Sequence, residues 1–293
     1  MKFKMKEGIS MKRNWLVLLG ATVFLAILAG CSNERSSTTE TEDGKKIIKV
    51  ALSDDVNPPF LYTDDENNPI GYDMDYLAEV EKRLPDYKFE YIFGEEESNL
   101  VGLDTGKVDM AINWFFKNPD REEKFHYPET EYGYSLTSLI TKTDRDDLKT
   151  LDDMVGKKFT PMSAGGGLRS ILNGYNTSNP DNPLTIESME SPSNANNLKR
   201  VDEGKADAMF LNKSTFDAVQ ETLNLDLKVS GIISKEPLFI VYNKDNTELA
   251  DQIDAITIEL TENGTLSKLS EKWFSTDFFQ DLDYINEKGF SYN

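Results

Sequence analysis

In LDTGKVDMAINWFFKNPDR, residues 103–121, a helix ends, a strand begins and three aromatic side chains arrive in a row. Gly106 closes an amphipathic segment carrying Leu100, Val101 and Leu103, and VDMAI (108–112) follows as a short apolar strand. Trp114, Phe115 and Phe116 then give way to Lys117, Asn118 and Pro119, which a core strand does not accommodate. The aromatic run therefore ends the strand and offers flat apolar walls, with Arg121 a few residues beyond them.

Working outward, the same alternation recurs. IIKVALS (47–53) and KFEYIF (88–93) read as strands, and the apolar positions from Met74 to Leu84 between them read as a helix stopped by Pro85. NPPF (57–60) interrupts regular structure, and Asp64 to Pro69 is a turn. This β-α-β-α-β order implies parallel strands covered by helices. Further along, GKADAMF (204–210) nearly copies GKVDMAI (106–112), each a helix stop entering a strand. Between and after them, 135–141, 158–161, 184–189 and 237–242 read as strands, while 151–155, 168–174, 194–203, 249–260 and 266–273 read as helices. The expected architecture is an α/β body in two similar halves, with the chain returning to the first after the second.

Composition narrows the chemistry. The chain has 293 residues, 38% of them apolar, enough for two packed halves, and a net charge of −20 that repels phosphate backbones. Nucleic acid is not an expected partner. One histidine, His126, and one cysteine, Cys31, cannot build a Cys/His metal cage or a histidine-based triad. No catalytic residue, metal or cofactor is expected.

The N-terminal stretch reads as an export signal: basic residues precede the apolar run WLVLLGATVFLAILAG (15–30). Leu28-Ala29-Gly30-Cys31 resembles the lipobox of bacterial lipoproteins, in which the cysteine is lipidated and becomes the first mature residue. The expectation is a signal peptide over 1–30, a polar flexible tether over 31–46, and a lipid anchor on Cys31 holding the body at the extracytoplasmic face of a bacterial cell membrane.

Seven motifs in order carry a broader resemblance: NPPF, GYDMD (71–75), LDTGKVD (103–109), PDR (119–121) before FHYP, LDDMVGKKF (151–159), EGKADA (203–208) and NGTLSKLSEKWF (263–274). On these, residues 47 to about 277 resemble the family 3 extracellular solute-binding proteins, receptor components of polar amino-acid ABC importers. The resemblance implies a two-lobe type II periplasmic-binding-protein-like fold, with two mixed sheets flanked by helices and joined by two hinge strands. Lobe one would span 47–135 plus 236–293 and lobe two 136–235. The protein would be a monomer, not an enzyme, that delivers a small polar solute to ABC permease subunits in the membrane.

The resemblance also assigns the site. An amino acid presents a carboxylate and an ammonium, both costly to bury unpaired, and a guanidinium can grip the carboxylate with two parallel hydrogen bonds. Arg121 stands at the family's carboxylate-gripping position; alone, an arginine beside Asp120, Glu122 and Glu123 would read as a solvated surface charge. Asn113, Trp114 and Phe116 would line the cleft, joined by Asp54, Asn57 and Phe60 around NPPF. From lobe two, Ser163, Gly165 and Gly166 occupy the turn where relatives carry hydroxyls, and bare N–H groups at a helix start still cradle an anion. The chain departs from the pattern at the ammonium. The usual aspartate falls on Asn212 and the usual lobe-one hydroxyl on Phe116, so Asp54, Asp73 or Asp75 would have to compensate, or the ligand would lack an α-ammonium. Glu95, Glu96 and Glu97 read as a solvated acidic face or as favouring a basic ligand group. The N-W-x-x-K-N-x-x-R pattern from Asn113 to Arg121 is similar to the cystine and sulfur-amino-acid branch, which makes that solute the first guess. The alternatives are an exported dehydratase-like enzyme, with Asp54 or Glu190 as its acid, and a ligand-sensing surface lipoprotein.

Overall fold

The computed structural model describes residues 44–54, 57–190 and 193–282. The signal peptide, Cys31 and nearly all of the tether lie outside the described residues.

The first lobe opens with β1 (Lys46–Ser53), the hairpin strands β2 (Tyr62–Thr63) and β3 (Pro69–Ile70), and α1 (Tyr72–Glu81). It continues through β4 (Tyr87–Gly94), α2 (Glu96–Asp104), β5 (Met110–Phe115), α3 (Pro119–Lys124) and β6 (Phe125–His126). A long strand, β7 (Gly133–Lys142), leads to a single 3₁₀ turn over Asp152–Met154, then α4 (Gly167–Ser178), α5 (Asn194–Asp202), β8 (Met209–Asn212) and α6 (Lys213–Leu223). The chain returns along β9 (Leu227–Asn243) and closes with α7 (Thr247–Glu262) and α8 (Thr265–Phe274).

Hydrogen-bonded strands run in the order β4-β1-β5-β9-β7-β8, with β6 beside β9. β1 is parallel to β4 and β5, and the pairs formed by β9 with β5, β6 and β7 are antiparallel. β9 joins the two parts of this seven-stranded sheet, the first mixed and the second, β9-β7-β8, antiparallel: its N-terminal part pairs with β7 and its C-terminal residues pair with β5 and β6. Val50, Leu52, Met110 and Ile112 are fully buried at the centre of the first sheet, where near-continuous apolar strands lie under helices.

The repeated GKVD/GKAD motif has one physical meaning in both places. Gly106 and Gly204 take left-handed φ values of 70° and 69°, ending α2 and α5. The following aspartates then fasten the next strand to its neighbour: Asp109 Oδ2 accepts from the Lys49 N–H at 2.7 Å and Asp207 Oδ2 from the Lys158 N–H at 2.8 Å.

Three expectations change. Residues 158–161 and 184–189 form no extended strands; they contribute only the bridges Phe159↔Ala208 and Met162↔Ser188, and Pro161 has no N–H for a ladder. The strand expected over 237–242 is the last part of a 17-residue strand containing both Gly231 and Pro237. Gly231 belongs there because a Cβ would lie 2.0 Å from the Lys149 carbonyl oxygen. Residues 213–223 form a helix not expected from the sequence; it buries Phe216 and ends at a left-handed Asn224, with no side-chain hydrogen bond from Asn212 at its start.

NPPF and GYDMD meet at the start of α1. The Pro59 and Phe60 carbonyls accept from the N–H groups of Tyr72 and Asp73 at 3.0 and 3.1 Å, satisfying donors that a helix start leaves open. The approach requires a glycine: Gly71 has φ +131°, and a Cβ would stand 2.1 Å from the Phe60 carbonyl oxygen. Gly71→Ala should cost roughly 2–4 kcal/mol through backbone strain and overpacking. A urea midpoint equal to wild type would show that the clamp does not hold α1.

Candidate functional site

A cavity of about 230 Å³ lies where β5 and α3 face the start of α4 and the end of β8. Its shape begins with an irregularity. The β5–β9 register shifts between Ala111 and Phe115, and Trp114 within that stretch has a left-handed φ of 52°. Regular alternation would send Asn113 and Trp114 to opposite faces. The bulge instead lets Asn113, Trp114 and Phe116 all line the cavity while Phe115 is buried behind it.

Arg121 reaches the cavity from α3, whose start is set by Pro119 and by the Asn118 side chain accepting from the Arg121 N–H at 2.9 Å. Its guanidinium lies 5.0 Å from the centre of the Phe115 ring, and its side chain is 11% exposed. Nη2 donates to Glu96 Oε1, and the other carboxylate oxygen of Glu96 accepts from Asn113 Nδ2 at 3.0 Å. Glu96 is the first residue of α2, where the helix dipole favours an anion.

The opposite wall comes from lobe two: Thr160, Met162, Ser163, Gly166, Gly167 and Leu168, together with Asn212. Phe116 packs so closely on Gly167 that a Cβ there would lie 2.6 Å from the ring. Gly167 is thus the glycine of the triplet that close approach demands. Arg169 also lines the cavity; its Nε donates to Asn173 Oδ1 at 3.2 Å and its Nη1 to Ser188 Oγ at 3.3 Å, and no ion pair to it is found among the described residues. Three buried polar atoms of lining residues have no partner: Asn113 Oδ1, Trp114 Nε1 and Asn212 Oδ1.

The structure brings Arg121, Asn113, Trp114, Phe116, Ser163, Gly166 and Asn212 together and leaves four expected site residues out of the lining. Phe60 is fully buried among aromatic rings, 4.9 Å from Phe274 and 5.8 Å from Trp114, so it backs the wall instead of facing the cavity. Asn57 Oδ1 accepts from Thr215 Oγ1 at 2.8 Å and ties the lobes together. Asp54 and Gly165 are exposed. The two acids offered as substitutes for an ammonium partner are also elsewhere: Asp75 accepts from Lys272 Nζ and from Trp273 Nε1, and Asp73 is buried against Tyr132. Glu190, the other acid of the dehydratase alternative, is exposed and outside the lining, as is Asp54. Glu96 and Arg169 carry no sequence signal specific enough to mark them. Glu96 stood in view only as one of three consecutive glutamates.

The family model for bacterial extracellular solute-binding proteins, family 3, matches residues 48–276. The L-cystine-binding protein TcyJ of Bacillus subtilis is 28% identical over 268 residues, covering 91% of this chain and 97% of the relative. Among solved structures, the probable amino-acid ABC transporter extracellular-binding protein ytmK of Bacillus subtilis superposes with a TM-score of 0.68 at 27% identity, over 78% of this chain and 97% of the other. A putative L-cystine ABC transporter protein from Listeria monocytogenes gives a TM-score of 0.66 at 27% identity, over 80% of this chain and 99% of the other.

Behind Trp114, burial pushes the Asp73 carboxyl from an ordinary 3.8 up to about 8, opposed by the Tyr132 hydroxyl and the Trp114 indole. The indole acts there without meeting hydrogen-bond geometry, since Asp73 Oδ2 and Trp114 Nε1 both lack a partner. The folded chain therefore keeps a proton that the unfolded chain releases. Stability from this group is complete below the unfolded value and is lost as pH rises toward about 8. In urea titrations between pH 5 and 8, Asp73→Asn should decline less steeply than wild type; parallel slopes would contradict a buried neutral carboxyl.

Proposed function

Because the chain belongs to the bacterial extracellular solute-binding proteins, family 3, we propose that it captures an amino acid in the cavity between its lobes and presents it to an ABC permease, with L-cystine as the first solute. Arg121 carries this reading: a largely buried guanidinium stacked on an aromatic ring and turned into a small cavity is suited to an organic carboxylate. Arg169 on the facing wall adds a second cation. Cystine, two amino-acid ends joined through a disulfide, carries two carboxylates for two arginines. Trp114 and Phe116 supply apolar surface for its middle. The relatives named for L-cystine favour the same solute.

The lobe boundaries at 135/136 and 235/236 fall inside the paired strands β7 and β9, where Ser135 faces Glu236 and Leu136 faces Lys235. Two adjacent crossings of this kind suit a hinge, and ligand that satisfies polar groups from both lobes shifts the equilibrium toward the closed form. Among the described residues no helix is long and apolar enough to cross a membrane. Attachment falls to a lipid on Cys31, with the body working as a monomer outside the cell and performing no reaction.

Calorimetry of the full chain with L-cystine tests this. Arg121→Ala should weaken binding by roughly 2–5 kcal/mol, as truncating one partner of a buried charge pair does. Arg121→Lys should recover only part of the loss, because an ammonium cannot hold a carboxylate in two parallel bonds. An unchanged affinity in Arg121→Ala would remove this residue, and the mode of capture, from the site.

A further inference from the structure

An amino acid brings an ammonium into the cavity together with its carboxylate. An ammonium donates three N–H bonds and accepts none, so it needs several acceptors and a compensating negative charge to be buried. Position 212, where the resemblance places an aspartate, is an asparagine and supplies no charge. Asp73 and Asp75 are committed elsewhere in the fold. Among the described residues lining the cavity, Glu96 is the one acid.

Its surroundings match the requirement. A carboxylate can only accept, so the Asn113 amide must turn its Nδ2 toward Glu96 Oε2, at 3.0 Å. Asn113 Oδ1 is thereby directed away from Glu96. Asn113 is 7% exposed, and this oxygen has no partner. Asn212 Oδ1, on the opposite wall of the same cavity, is a second buried oxygen without a partner. Two buried acceptors left open in the cavity that this carboxylate lines form an incomplete shell for a cation.

The spacing also suits the ligand. In an α-amino acid the charged groups sit on adjacent carbons, so a receptor must hold its own cation and anion side by side. Arg121 and Glu96 are in direct contact. A zwitterion can lie antiparallel along that pair, each end meeting the opposite charge, with no net charge added to the cavity. The Glu96 side chain is 38% exposed, which leaves it room to shift from the guanidinium toward an incoming ammonium.

We propose that Glu96 is the ammonium-binding carboxylate of this site, with the amide oxygens of Asn113 and Asn212 completing the shell while Arg121 holds the ligand's carboxylate. The assignment rests on the amino-acid reading above and adds a selection rule. Glu96 attracts a zwitterion and repels a carboxylate lacking an amine, so the site discriminates by repulsion as well as by attraction.

The full chain is first screened by calorimetry against L-cystine and the common amino acids. Its tightest ligand is then compared with the deaminated counterpart, which for L-cystine is 3,3′-dithiodipropionate. Wild type should prefer the amine-bearing ligand by about tenfold or more, the range of a charge-assisted hydrogen bond. Glu96→Gln should weaken that ligand by a similar factor while leaving the deaminated compound unchanged or tighter, so the preference collapses. Glu96→Asp, which restores the charge, should recover part of it and serves where Glu96→Gln folds poorly. Equal binding of the amine-bearing ligand by Glu96→Gln and wild type would overturn the assignment alone, as would an equal loss for both compounds, which marks a purely structural role. A wild type that binds no amino acid in the screen would overturn the proposed function and this assignment with it.

Discussion

The pairing of β7 with β9 is the constraint under which the rest of the molecule is arranged. Ten residues of β7, from Gly133 to Lys142, are matched against β9, and β9 then continues past its partner to join β5 and β6. The pair is unusually polar for a buried element: Ser135, Thr137, Ser138, Thr141, Ser234 and Glu236 are all inside. Thr137 and Ser234 join their hydroxyls at 2.6 Å, and Ser138 donates to the Leu211 carbonyl at 2.9 Å. Short polar side chains bonded across or beside the ladder keep the strands together without large interdigitating apolar groups that would resist a change of twist. Backbone pairing fixes the connection between the lobes, and the side chains leave its angle adjustable. Glu236, whose carboxyl is pushed up by burial, lies within that seam opposite Ser135.

Much of the fold was legible because local signals agreed with the tertiary outcome. Gly106 and Gly204 mark helix ends in sequence for the same reason that they do so in space, a left-handed residue followed by an aspartate that ties down the next strand. The features that were not legible are those in which a distant contact overrides a local rule. Gly231 and Pro237 argue against a strand by propensity, yet the Lys149 carbonyl leaves no room for a side chain at 231, and β7 pairs across both positions. The strands expected near Pro161 and Leu184 shrink to single bridges because an apolar run is not sufficient where one partner has no N–H to give.

The site divides along similar lines. Arg121, the aromatic end of β5 and the glycine turn lie in short stretches with fixed neighbours, and the cavity collects them. Phe60 was misplaced because an aromatic residue at a loop reads the same whether it faces a ligand or fills the space behind Trp114. Glu96 escaped for the opposite reason. One of three consecutive glutamates at a helix start resembles a solvated face, and its distinction arises only when the fold brings it onto Arg121, 25 positions away in the chain. Trp114 adds a backbone effect invisible to pattern reading. Its left-handed conformation lies where the β5–β9 register slips by two residues, and that slip decides which side chains meet the cavity.

These placements together bear on how closure couples to binding. The Asn57–Thr215 hydrogen bond and the contact of Phe116 with Gly167 span the cleft, and each is small: one neutral hydrogen bond and one ring against a bare Cα. Arg121 is also largely withdrawn from water, a cost that its pairing with the partly exposed Glu96 offsets only in part. A zwitterion changes that balance. In the proposed binding mode its carboxylate and ammonium meet the two charges, and its amine reaches oxygens on both walls, those of Asn113 and Asn212. The differential affinity that a ligand must have for the closed form therefore resides in groups that the empty cleft leaves unsatisfied. A simple carboxylate would satisfy the guanidinium and still leave both amide oxygens buried without a donor, so that binding to Arg121 alone would give affinity with less drive to bring the lobes together.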